Sequence, residues 1–274
     1  MAYENFKATI WSKHIELELA KLMVFRDVVN TKHQGEVGQG KTVKIIGVAN
    51  PTIKTYVPGQ SIGNAETPDD SETMLKIDQL KYFNVIVDDV EQAQADVEIM
   101  ESLLEGGANG LAAAADAYIA SKVVDCKAEN MIASQAVTTE KAAKAVVDDM
   151  FEKLWEQGVN TANGNVYVTL CPWFYKLFKN SLTETLTNNV EMVKKGIIGM
   201  YNGAYVKLSN QIFNDGTDDC ISVMTKNAIA FADGIEKTDA YRPDDSFADA
   251  VKSLYTFGAV VARPEQIATA KVHK

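Results

Sequence analysis

The chain has 274 residues, 46% hydrophobic and 23% charged, enough for one large domain or two small ones around a sizeable core. Its net charge of −10 is uneven: residues 1–50 hold seven Lys/Arg against five Asp/Glu, while residues 64–101 hold eleven acids against two lysines. Gripping a phosphate backbone takes clustered Lys and Arg, and their absence excludes strong attraction to nucleic acid.

Cys126, Cys171 and Cys220 are odd in number and far apart, without CxxC or Cys/His ligand spacing. They read as buried thiols of a reducing compartment. The opening MAYENFKATIW has no apolar run of signal-peptide length, and no stretch approaches about 18 apolar residues. The expectation is a soluble chain made in the cytosol.

In chain order, residues 3–34 form an arm. Trp11, Ile15, Leu19, Leu22 and Phe25 recur at helical steps before Val28, Val29 and Asn30 break the pattern. These large apolar groups need a partner surface. Residues 35–87 change period. TVKIIGV and IKTYV are short and β-branched, divided by Asn50-Pro51 and followed by a Pro58-Gly59 turn, so they predict a β-hairpin. SIGNAETPDDSETML then reads as a polar, acidic excursion. Such a hairpin cannot bury a core of its own. A strand over Tyr82–Val87 leads into a long helix.

That helix, predicted over Glu91–Val124, organises the rest. Val97, Met100, Leu104, Leu111, Ala115, Tyr118, Ile119 and Val123 fall on one face. Its length would be roughly 50 Å. Gly106, Gly107 and Gly110 weaken its middle by about 1 kcal/mol each relative to alanine, which predicts a bend. Next, Thr138 or Thr139 caps a helix running to about Gln157, with Gly158 as its stop and Ala142, Val146, Met150, Leu154 and Trp155 on its buried face. A strand VYVTL (166–170) follows, and Pro172 opens the helix WFYKLFKN. Two strands flank the Asn202-Gly203 turn, a strong hairpin signal. Ile221–Met224 is another strand, and Ala228–Lys237 is ambiguous. The last segment, FADAVKSLYTFGAVVARPEQIATAKV, reads as a short helix and then a strand. The class is α+β, without repeats.

Gly35-Glu36-Val37-Gly38-Gln39-Gly40-Lys41-Thr42 fits the phosphate-loop pattern GxxxxGK[ST]. Such a loop works when a strand delivers it and a helix N-terminus follows at once. Here Lys41-Thr42 opens a β-branched strand, so the motif reads as a glycine-rich turn. A P-loop ATPase is the outlying alternative. His14, His33 and His273 are scattered, and the acidic pairs Asp69/Asp70, Asp148/Asp149 and Asp218/Asp219 lack a convergent partner, so no catalytic, cofactor-binding or metal-ligating residue is assigned. Trp173, Phe174, Tyr175 and Phe178 at helical spacing read as core.

Five segments in order carry a family resemblance. WSKHIELELAKLMVFRDVVN and GEVGQGKTVKII with Tyr56 resemble the N-terminal arm and extended loop of the major capsid protein of tailed bacteriophages. DQLKYFNVIVDDVEQAQADVEIME with LAAAADAYIA resembles the lead into that family's spine helix. VYVTLCPWFYKLF and KKGIIGMYNGAYVKLSNQIF are similar to the strand-helix and hairpin of its axial domain. DAYRPDDSFADAVKSLYTFGAVVARPEQI resembles its C-terminal segment. The fold is shared with encapsulin nanocompartments.

The resemblance implies a phage major-capsid-protein fold divided into an N-terminal arm (1–34), an extended β-hairpin loop (35–80), a peripheral domain with the spine helix (81–135), an axial domain (136–245) and a C-terminal return to the peripheral domain (246–274). It implies a non-enzymatic subunit without cofactors that self-assembles through hexamers and pentamers into an icosahedral shell. The shell would enclose double-stranded DNA without sequence-specific binding, and an encapsulin-like compartment is the alternative. It further implies a virion location, assembly in the host cytoplasm, no membrane partner, a portal and, for want of a long helical region before the arm, a separate scaffolding protein. Some relatives cross-link through a hairpin lysine. Lys41, Lys44 and Lys54 lie in that region, without a visible acid and acceptor. The expected subunit-interface residues are Trp11, Phe25, Tyr56 and Ile62.

Overall fold

The computed structural model describes residues 15, 23–32, 42–48, 55–56, 58–59, 70–88, 99–161, 164–183, 199–244 and 247–274. Strand β1 (Thr42–Val48) pairs antiparallel with β2 (Asp70–Lys76), in the register Thr42↔Lys76 to Val48↔Asp70. The hairpin exists, with a different second strand from the one expected. IKTYV does not supply it: Thr55 and Tyr56 lie outside any strand, and DSETMLK, inside the segment read as an acidic excursion, pairs instead. Thr73 helps explain the choice, because this register sets its β-branched group opposite Ile45.

Two residues after β2, strand β3 (Gln79–Asp88) begins, longer than the predicted Tyr82–Val87. Helix α1 (Ile99–Ser121) follows and tightens into a 3-10 turn over Lys122–Asp125. The predicted start at Glu91 lies outside the described residues. The helix runs unbroken through Gly106, Gly107 and Gly110. Packing overrides propensity here, since Leu104, Ala108, Leu111, Ala115 and Ile119 are all buried on one face.

A second 3-10 turn (Ala128–Asn130) leads to β4 (Met131–Ala136), a short half-exposed strand that the sequence reading missed. Helix α2 (Glu140–Glu156) is capped by Thr139, whose hydroxyl accepts from the Ala142 N–H at 3.2 Å. Its buried face is Ala143, Val146, Val147, Met150, Phe151 and Leu154. Trp155, expected in that face, is 49% exposed and donates its indole N–H to Thr161. Strand β5 (Val166–Leu170) and helix α3 (Pro172–Thr183) match expectation, and Phe174 and Phe178 are fully buried.

Strands β6 (Met200–Tyr201) and β7 (Ala204–Leu208) flank Asn202 (φ 47°) and Gly203 (φ 80°), both left-handed as a type I′ turn requires. Strand β8 (Asp219–Thr225) is followed by β9 (Ile229–Tyr241), which settles the ambiguous alanine-rich stretch as a strand. β10 (Ala248–Val261) is a strand throughout, where a short helix was expected at its start. Val251, Ser253, Tyr255 and Phe257 are buried at a period of two, and β10 is hydrogen-bonded on both sides. Pairing with two neighbours outweighs the helix-forming residues in ADAVKSL. A 3-10 turn at Pro264–Gln266 leads to β11 (Ile267–His273).

Two further sheets result. One is antiparallel with order β3-β10-β9; the other is mixed, with order β4-β11-β8-β5-β7-β6. Segment 246–274 therefore divides between them: β10 joins β3, while β11 pairs with β4 and β8. One core lies between α1 and the three-stranded sheet and reaches one face of the six-stranded sheet through Cys220, Met224 and Ile267. The opposite face, with Val168, Leu170, Ile221, Val223 and Ala268, forms a second core with α2 and α3. Ile15 is buried in the first core.

Candidate assembly surfaces

Hydrogen bonding within the described residues accounts for most of the polar groups that the sequence offers as chemistry. Asp148 accepts from the Tyr201 hydroxyl and from Asn202 at 3.4 Å, so it pins the β6–β7 turn to α2. Asp219 accepts from the Trp173 indole at 2.6 Å and from Asn214 at 2.8 Å. Asp218 contacts His273 Nδ1 at 2.8 Å. Asp215 accepts from the Thr217 and Asp218 amides and pairs with Lys271 at 2.8 Å, and these donors hold its carboxyl down at about 2. Donors that belong to the fold occupy these carboxylates. Asp69 and the side chain of Asp70 lie outside the described residues.

No group of three or more His, Cys, Asp or Glu among the described residues is arranged to hold a metal ion. Burial pushes the thiols of Cys171 and Cys220 up to about 12 and about 11, and that of half-buried Cys126 upward. Residues 35–41 of the phosphate-loop match lie outside the described residues, and Thr42 opens a strand, so no helix N-terminus follows the glycines. No described helix is long and apolar enough to cross a membrane.

What remains is apolar surface. On the three-stranded sheet, Phe83, Val85 and Val87 face α1, which turns Leu80, Tyr82 and Ile86 outward. Tyr82 is 75% exposed, and Tyr241 of β9 lies on the same outer face, where Lys252 sits 4.9 Å over its ring. Phe247, beside the β9–β10 turn, is 83% exposed. Among the described residues, β3 has no strand on its far side. Met200, Tyr205 and Leu208, on the last two strands of the six-stranded sheet, are exposed as well. Apolar groups at strand edges are what monomers avoid and assemblies use.

The four expected interface residues fall differently. Tyr56 is 66% exposed. Trp11 and Ile62 lie outside the described residues. Phe25 is fully buried in this chain's own core, together with Val28 and Val29, which leaves none of its surface for a neighbour. This is a correction to the expectation for Phe25. Segment 23–30 packs into the first core and contacts strands of both sheets, held by partners far away in the chain. Asp116, a lone acid in the apolar face of α1, accepts from the Val24 and Phe25 amides at 2.8 and 3.2 Å. Burial lifts its carboxyl to about 6 against the pull of those two donors. Arg26 pairs with Asp233 of β9 at 3.2 Å, and the Tyr255 hydroxyl donates to the same carboxylate at 2.7 Å. Asn30 bridges to Ala230, and Asp27 meets Lys207 of β7 at 3.2 Å. The signal available was Asp116 itself: an acid between Ala115 and Ala117, in a helix face otherwise apolar, needs a partner.

The described residues thus comprise a long helix laid on a three-stranded sheet, a six-stranded sheet with two helices packed on it, and a two-stranded hairpin. No protein-family model matches the sequence, and no curated protein matches it. Among solved structures, the chain is similar to one from Mycobacterium phage Che8, at 25% identity and a TM-score of 0.74 over 90% of each chain. It is also similar to the capsid structure of the cyanophage P-SCSP1u, at 14% identity and a TM-score of 0.72 over 92% of this chain and 88% of that one. A virus-like particle from Pyrococcus furiosus matches at 11% identity and a TM-score of 0.59, over 96% and 98%. The chain has the phage major-capsid fold, which that virus-like particle shares.

Proposed function

We propose that this chain is the major capsid protein of a tailed bacteriophage, assembling through hexamers and pentamers into an icosahedral shell around double-stranded DNA. What supports this most is the extent of the match: nine-tenths of the chain overlays nine-tenths of a phage chain. The unit of α1 and the three-stranded sheet is then the peripheral domain, the six-stranded sheet with α2 and α3 the axial domain, and β1–β2 the extended loop. The outward apolar side chains are contacts with neighbouring copies. Several such patches, each weak, add up to a stable shell. A net charge of −10 suits a wall that encloses DNA without gripping it. The subunit is structural, not an enzyme; it works with a portal and a separate scaffolding protein, in the host cytoplasm and then in the virion.

The test is negative-stain electron microscopy of the protein expressed alone, sized by light scattering. Closed shells or hexameric and pentameric rings are expected. Protein that stays monomeric at high concentration, with its scaffolding protein supplied, would overturn the assignment. An encapsulin-like compartment is the second reading, favoured by the near-complete overlay on the Pyrococcus particle. The contents decide between them: DNA packaged during infection supports the capsid, and an enclosed protein cargo supports the compartment.

A further inference from the structure

The hairpin's root is held by contacts from three other elements. Only Ile77 and Asp78 separate β2 from β3, so the direction of the hairpin is decided within two residues. At that point the chain crosses β10 at Gly258. A Cβ on Gly258 would lie 2.1 Å from the Lys76 carbonyl oxygen, 2.9 Å from its carbon and 3.1 Å from Ile77 Cα. All three are backbone atoms, which cannot swing aside as a flexible side chain would. On either side of this notch Leu75 and Ile77 are buried against Ala232 and Val260. Asp78, next in the chain, accepts from the Tyr118 hydroxyl of α1 at 3.1 Å. Floor, plugs and tether come from three different elements and meet on four consecutive residues.

We propose that Gly258 sets the angle at which the β1–β2 hairpin leaves the body, and thereby the geometry in which copies of this chain meet. The second half rests on the shell assignment above; the first half does not. The leverage is large. Seven-residue strands span roughly 20 Å, so a tilt of about 10° at the root moves the far end by roughly 3–4 Å. That displacement is enough to break a hydrogen bond or to empty a side-chain pocket on a neighbour. Glycine is needed here for close approach of backbone to backbone, and any side chain must lift Lys76 off the sheet.

The experiment compares Gly258→Ala and Ile77→Ala with the wild type, measuring the circular dichroism of the subunit and particle diameter by electron cryomicroscopy. Gly258→Ala is expected to keep the wild-type spectrum yet form open sheets or shells of another diameter. Ile77→Ala removes a plug while leaving every residue of β10 in place, and is expected to fold and to broaden the diameter distribution. Wild-type-diameter particles from Gly258→Ala overturn the proposal. If that variant does not fold, a wild-type diameter from Ile77→Ala overturns it instead. Should the wild type itself form no particles with its scaffolding protein supplied, the shell assignment is what fails. The root is then read by hydrogen exchange: amides of residues 76–79 exchanging tenfold faster in Ile77→Ala support the clamp, and unchanged protection removes it.

Discussion

Gly107 of α1 lies beneath the ring of Phe83 of β3, so close that a Cβ on the glycine would sit 3.0 Å from two ring carbons. The three glycines in the middle of α1 are therefore not equivalent. Gly106 and Gly110 have nothing within 4 Å of where a Cβ would go. Alanine at either should raise subunit stability by about 1 kcal/mol through helix propensity alone. Alanine at Gly107 gains the same propensity but must displace an aromatic ring packed between sheet and helix, at an overpacking cost of about 1–3 kcal/mol. Gly107→Ala should be neutral to destabilising by about 1–2 kcal/mol. Chemical denaturation of the three single variants gives the order. A stabilised Gly107→Ala would mean that the ring does not constrain the helix.

The carboxyl of Asp116 makes stability depend on pH, with a definite sign. Its pKa is about 6 in the folded chain against an ordinary value of 3.8, raised mainly by burial. A carboxyl raised on folding favours the folded state when protonated. Its stabilising contribution is complete below about pH 4 and is lost as pH rises through about 6. The full swing is on the order of 2–3 kcal/mol. Arg26, Asp233 and Tyr255 lie in the adjoining polar cluster, so the comparison must cancel their contributions. In Asp116→Asn the gain on going from pH 7 to pH 4 should be smaller than in the wild type by about that amount. Equal pH profiles for the two proteins would show that Asp116 does not titrate in this range.

Legibility in the sequence followed the range of the forces involved. Thr139 as a helix cap, Pro172 as a helix start and Asn202-Gly203 as a turn are local chemistry, and each stands where it was expected. Features that depend on distant partners were missed. DSETMLK is polar and turn-like until Leu75 and Thr73 are set opposite β1. ADAVKSL carries helix formers and becomes a strand because β3 and β9 flank it. Gly258 looks unremarkable in sequence, and Asp116 shows there only that it needs a partner, since their roles depend on residues 182 and 92 positions away. Among the expected interface residues, periodicity showed that Phe25 is apolar but not whose core it enters.

The outward face of β3 should matter to assembly and not to folding. Tyr82 is 75% exposed and Ile86 is also exposed, so removing their apolar surface costs the isolated subunit little. Tyr82→Ser and Ile86→Ser should each leave unfolding free energy within about 0.5 kcal/mol of the wild type. In the capsid reading they should lower the fraction of protein sedimenting as particles at a given concentration, since many weak contacts act together. Unchanged assembly in the double variant would remove this face from the list of contacts.

Phe25 and Tyr56 separate core from contact most sharply, because both were expected at interfaces and the structure buries only one. Phe25 is fully enclosed by its own chain, beside Val28, Val29 and the spine helix. Phe25→Ala leaves a cavity where the arm meets the two sheets, and should cost the subunit about 3–5 kcal/mol. The loss should appear in the isolated subunit at every protein concentration. Tyr56 lies between β1 and β2 in the chain, with two-thirds of its surface in solvent. Tyr56→Ser should leave the subunit's denaturation midpoint unchanged and reduce assembly only. Measuring both variants by chemical denaturation of dissociated subunits, and by sedimentation of assembled protein, gives opposite patterns if the two residues do different work. A Phe25→Ala subunit as stable as the wild type but unable to assemble would return Phe25 to the interface.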